Sequence, residues 1–147
     1  PPGLKASICS WEIWIVKGEY NILSKIKESL QDCVRELMIS MPIGLSDLSD
    51  SFIPILTEIH NKGVKIMVMI PKGENWPIEK LSRCGEIRIK SNMFGGGLIS
   101  DAKEVILLLS SSTEESSSLA IWASHPGLAG FAKDYFEYLW SSSKRMD

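Results

Sequence analysis

Residues 94–112 read FGGGLISDAKEVILLLSSS. Two apolar runs, glycine-rich Phe94 to Ile99 and VILLL at 105–109, flank the turn-forming Asp101-Ala102-Lys103. The segment therefore reads as two short strands joined by a tight turn. Glycines within a strand mark close approach of another backbone, either a packed neighbouring strand or a subunit partner. The triplet Gly95-Gly96-Gly97 lacks the lysine and the following helix that a phosphate-cradling loop needs.

Upstream, WEIWIV at 11–16 alternates as a strand does, and Gly18 ends it. Ile22, Ile26 and Leu30 recur at four-residue spacing over 20–32, the buried stripe of an amphipathic helix. ELMISM at 36–41 is a second strand, stopped by Pro42. A second helix is expected over 48–61, with Ser49 or Asp50 as N-cap, Pro54 in the first turn and Gly63 as a left-handed C-terminal cap. VKIMVMI at 64–70 is almost continuously apolar, as in a strand buried on both faces. These pieces read as a β-α-β-α-β unit.

Downstream lie a short helix at 78–83 and a strand at 85–90, before the opening segment. SSSTEESSS at 110–118 reads as a polar loop, and LAIWAS at 119–124 as the last central strand. A C-terminal helix over 127–143 is expected to bury Leu128, Phe131, Tyr135 and Leu139, with Ala132, Phe136 and Trp140 widening that face. The expected fold class is α/β, a mixed and largely parallel central sheet with helices on both faces.

The 147 residues fit one domain, and 44% hydrophobic with 23% charged residues is ordinary for a globular protein. A net charge of −2 argues against a nucleic-acid-binding surface on this chain. No apolar run approaches the roughly 18 residues of a membrane span, and the start lacks the pattern of a signal peptide. Residues 1–10, with their opening Pro-Pro-Gly, read as a linker remnant before a domain over 11–147. Cys9, Cys33 and Cys84 are odd in number and widely spaced. They suit a reducing cytoplasm rather than disulfides or zinc, Cys33 and Cys84 read as small apolar fillers just before strands, and no metal or cofactor is expected.

The order of the motifs resembles the C-terminal regulatory domain of the TrmB family of archaeal transcriptional regulators. The residues that carry the resemblance are Trp14-Ile15-Val16-Lys17-Gly18, Asn61-Lys62-Gly63-Val64-Lys65-Ile66, Asp101, Ala120-Ile121-Trp122 with His125-Pro126, and Tyr135 to Trp140. The resemblance implies a phospholipase-D-like half fold without that enzyme's activity. It also implies homodimerisation, effector sensing with sugars as the ligands, and DNA binding through an N-terminal winged helix outside this chain. The alternative is a ligand-free dimerisation scaffold of an architectural DNA-binding protein.

The phospholipase D motif is H-x-K-x4-D. With Asp101 as its aspartate, the lysine position is Gly96 and the histidine position is Phe94. Neither residue can attack phosphorus or hold a phosphate, so no enzyme activity is expected. The vacated place suggests a ligand-binding set of Phe94, Gly96, Asp101 and Trp122, with His125 at a strand end. Plainer readings stay open beside it: Asp101 bonding the backbone of its own turn, Trp122 as core, and His125 as a cap. His60 reads as a surface residue complementing a helix end. Trp11, Trp14 and Trp76 are too many to bury together, and an outward-facing one would mark an interface.

Overall fold

A computed structural model of the chain describes residues 12–41, 51–73, 75–91, 96–109 and 119–145. The apolar runs become β1 (Glu12–Lys17), β2 (Glu36–Ser40), β3 (Lys65–Pro71), β4 (Glu86–Lys90), β5 (Gly96–Ser100), β6 (Glu104–Leu108) and β7 (Leu119–Ser124), with a short β8 (Lys144–Arg145). Helices α1 (Glu19–Gln31), α2 (Ile53–Asn61), α3 (Ile78–Ser82) and α4 (Pro126–Ser141) lie between them.

All eight strands join one sheet in the order β1-β7-β6-β5-β2-β3-β4-β8. The expected mixed sheet is present, but it is not largely parallel. Only β2/β3 and β3/β4 pair in parallel, while the remaining five neighbours are antiparallel. The reason is local: β5 and β6 are joined by a turn far too short for a crossover, so they must form a hairpin. β1 also departs from the expected β-α-β-α-β unit, because it lies beside β7 at the sheet edge and not beside β2. The unit that forms is β2-α2-β3-α3-β4.

Strand alternation divides the core in two. Leu37 and Ile39 of β2 face α1, α2 and α3, where they meet Leu30, Leu56, Ile59 and Leu81. Met38 faces the other way with Met69, Ile99, Val105 and Ala123, and α4 covers them with Ala129, Phe136 and Trp140. Among the described residues, three helices thus cover one face and a single helix the other. The expected face of α4 is corrected accordingly. Phe131 and Tyr135 are exposed, and the buried stripe runs through Ala129, Phe136 and Trp140. The helix has more apolar width than one sheet surface can take.

The start of α2 is also corrected. Phe52 is its N-cap and makes no side-chain capping bond, while Pro54 sits in the first turn as expected. Ser49 and Asp50 lie outside the described residues. Gly63 does end α2 with a positive φ of 97°. Its N–H donates to the His60 carbonyl and that of Val64 to the Ile59 carbonyl, the Schellman pattern.

α4 is held at three places. The His125 Nδ1 accepts the Leu128 N–H at 3.1 Å and caps its start. Lys133 Nζ donates to Glu36 Oε2 at 2.7 Å, and that hydrogen bond chiefly raises the lysine pKa. At the far end the Arg88 guanidinium donates to the Trp140 carbonyl at 2.8 Å and lies 4.4 Å from its ring centroid. A cation at that end also complements the helix dipole.

Two glycines allow a contrast. A Cβ on Gly97 would overlap the backbone carbonyl of Ile106 in the neighbouring strand, whereas one on Gly130, in α4, would meet nothing within 4 Å. Gly97→Ala is therefore expected to lower unfolding stability by at least about 2 kcal/mol. Gly130→Ala should raise it by about 0.5–1 kcal/mol. Urea unfolding of both variants checks the opposite signs.

Candidate functional site

Asp101 opens the β5–β6 turn with φ 54°, and Ala102 follows at 55°. Asp tolerates this left-handed conformation better than most residues. The Lys103 N–H closes the turn on the Ser100 carbonyl at 3.0 Å. The Asp101 side chain does not bond its own turn. It reaches across to the loop between α1 and β2, accepting the backbone N–H groups of Val34 at 2.9 Å, Arg35 at 2.7 Å and Glu36 at 3.0 Å. Return bonds close the clasp: the Asp101 N–H donates to the Glu36 carbonyl, and Arg35 Nη2 to the Asp101 carbonyl.

This environment sets two ionisations. Burial pushes the Asp101 carboxyl up, but the N–H groups of Val34, Glu36 and Arg35, with the Cys33 thiol, outweigh it and hold its pKa below the ordinary aspartate value. Cys33 Sγ donates to the Glu36 carbonyl at 3.1 Å and lies 3.6 Å from Asp101 Oδ1. Burial, with the neighbouring carboxylate, pushes this thiol up to about 11, so it is protonated and unreactive at neutral pH. Cys33 is thus a donor as well as the expected filler.

Trp122 lies in the core beneath α1, on the face opposite α4. Its indole N–H donates to Glu104 Oε1 at 2.9 Å, and Ser29 Oγ donates to the same oxygen at 2.6 Å. Lys25 Nζ sits 3.8 Å from the Trp122 ring centroid, a cation–π arrangement. Nothing in the sequence around Trp122 pointed to Glu104 as its partner, because the two meet only through the β6/β7 pairing.

The four described residues of the suggested ligand set are not brought together. Gly96 lines a groove on the α4 face. Asp101 lies at the other end of β5 in the clasp, Trp122 lies on the opposite face, and His125 caps α4. Phe94 lies outside the described residues, as do Trp11 and Ser110–Ser112. Trp76 is buried and Trp14 is exposed.

The groove runs between α4 and the sheet and encloses about 420 Å³. Met38, Met69, Ile99, Val105 and Leu107 form its floor, the backbones of Gly96 and Gly97 one end, and Phe131, Ala132, Tyr135 and Leu139 its wall. Among the described lining residues, only Ser40 and Tyr135 have polar side chains. Strand alternation carried the signal for Met38 and Met69, since they point away from the helices expected beside them. The exposure of Phe131 and Tyr135 had none, as both fit an ordinary buried stripe.

One tripeptide, His60-Asn61-Lys62, does have the H-x-K spacing. Met67 stands where the motif needs aspartate, and Lys62 pairs with Glu58 at 3.4 Å at the end of α2. It is a helix terminus, not a second catalytic motif. Among the described residues no three His, Cys, Asp or Glu side chains gather as a metal site, and no helix is long and apolar enough to cross a membrane.

Residues 12–147, which span this whole sheet and its helices, match the family described as transcriptional regulator TrmB, EBD N-terminal subdomain. The chain belongs to the TrmB family. No curated protein matches its sequence. TrmBL2, described as an archaeal chromatin protein with a novel mode of DNA binding, superposes with a TM-score of 0.76 at 19% identity. That similarity covers 98% of this chain but only 59% of TrmBL2. NucT from Helicobacter pylori gives a TM-score of 0.74 and the phospholipase D family member Nuc from Salmonella typhimurium 0.71, both at 12% identity. Each match covers 92% of this chain, with 99% of NucT and 98% of Nuc. At such identities the likeness is one of fold: the TrmB-family domain is phospholipase-D-like, as expected.

The clasp predicts a pH signature. Because the folded pKa of Asp101 is depressed, its stabilisation is fully present above the unfolded aspartate value of about 3.9 and is lost as pH falls through the folded value. Asp101→Ala is expected to cost about 2–3 kcal/mol at neutral pH, through backbone donors left without an acceptor. Asp101→Asn should cost less and flatten the acid limb of the stability curve. Urea titrations from pH 7 down to pH 3 read both effects.

Proposed function

We propose that this chain is the non-catalytic, dimerising and effector-binding part of a TrmB-family transcriptional regulator. The state of Asp101 carries the reading. The one retained member of the H-x-K-x4-D pattern has its carboxylate fully engaged by backbone N–H groups, and the lysine position is Gly96, with no side chain. Phosphoryl transfer needs a nucleophile and a cation at the phosphate. On this reading the fold carries regulation and not turnover.

The groove over Gly96 is the effector site under this proposal. Its volume falls within the roughly 300–1,000 Å³ of small-molecule pockets. Its lining argues against a bare sugar, whose hydroxyls need a polar partner each, and favours a mainly apolar small molecule. With a net charge of −2, the domain leaves DNA to a separate winged helix of the cytoplasmic regulator. A second reading, the ligand-free dimerisation scaffold, draws on the exposed Phe131 and Tyr138 of α4, which would meet a partner and not a ligand.

Thermal-shift titration tests the first reading with maltose and glucose on one side, 1-dodecanol and indole on the other. An apolar probe at 100 times its dissociation constant should add about 2.7 kcal/mol of stability, and the groove-filling Ala132→Trp should abolish the shift. A shift with sugars alone would overturn the ligand class. A dimer indifferent to every probe would favour the scaffold.

A further inference from the structure

The two edges of the sheet are finished differently. On one side β4 is followed by β8, which pairs Lys144 with Ile89 and Arg145 with Arg88, so charged residues close that edge. On the other side β1 pairs with β7 over six regular register positions, and among the described residues nothing pairs with its outer edge. Natural proteins blunt such edges with lysines, prolines, bulges or short strands. β1 has none of these in its centre. Ile13, Trp14 and Ile15 are 63%, 56% and 65% exposed and consecutive.

We infer that β1 is the dimerisation strand, pairing antiparallel with β1 of a second copy so that two sheets become one. This rests on the dimer in the proposed function and states where it forms. Symmetry selects the orientation. A two-fold axis running along parallel strands would turn the Ile13 and Ile15 face of one copy against the Trp14 face of the other, whereas antiparallel pairing keeps the two isoleucine stripes on one side.

The faces select the register. A two-fold axis perpendicular to the sheet keeps each face with its own face, so a residue must oppose itself at the axis. Centring on Trp14 opposes Ile13 to Ile15 twice and Glu12 to Val16. Ile13 and Ile15 lie on the α4 face, because they oppose Ala123 and Ile121 of β7. Four isoleucines would therefore form one stripe there. The two Trp14 rings meet on the other face, each indole N–H already held by its own Glu12 at 2.7 Å.

Light scattering and sedimentation of the chain across micromolar concentrations test the assignment. Ile15→Lys should weaken dimerisation at least about tenfold, with an unchanged circular dichroism spectrum, while Phe131→Lys on the α4 face should not. Hydrogen exchange on the unaltered chain gives an independent reading: amides of β1 should gain protection as concentration rises. A monomer at every concentration would remove the dimer from the proposed function as well. A dimer that ignores Ile15→Lys, or shows no added β1 protection, would overturn the edge assignment alone.

Discussion

The Asp101 carboxylate holds the turn between β5 and β6 against the loop before β2 by accepting three consecutive backbone N–H groups. β2 is where the two halves of the sheet join, parallel to β3 on one side and antiparallel to β5 on the other. The clasp sits at the start of that strand, next to the Leu37–Ser100 pair that begins the antiparallel register. A slip by one residue there would turn every side chain of β5 to the wrong face. Two positive-φ residues and a buried carboxylate are tolerated in return for a fixed junction.

That division of labour gives Asp101 a structural role, the fixing of the register, that needs no catalytic neighbour. At the Gly96 end of β5 the sheet borders the groove. α4 spans it without filling it, since its buried stripe is only Ala129, Phe136 and Trp140.

Much of the fold was legible in the sequence. The amphipathic stripe of α1, the Gly63 cap, the hairpin at Asp101 and the apolar strands all follow from local periodicity and turn chemistry. Strand order was not legible, since β1 and β2 have similar patterns and pairing is decided by partners far away in sequence. The site was less legible still. The sequence marks Asp101 as a ligand contact or a turn residue bonding its own backbone, whereas its partners Val34, Arg35 and Glu36 act through their backbones, and backbone donors leave no trace in residue type. Trp122 drew attention as a possible ligand platform, yet its indole is satisfied by Glu104. The exposed half of α4 looked like core because apolar spacing does not report how wide the opposing surface is.

The pairing of β1 with β7 sets the order in which this domain can be completed. Glu12 lies opposite Ser124, on the order of a hundred residues later in the chain. On a ribosome the first strand emerges long before its only described neighbour exists. Throughout that interval its apolar side chains have no sheet to join. The β2–β4 unit, built from close-lying segments, is free to form first and wait. Seating of β1 therefore waits on β7, however early its own residues are made.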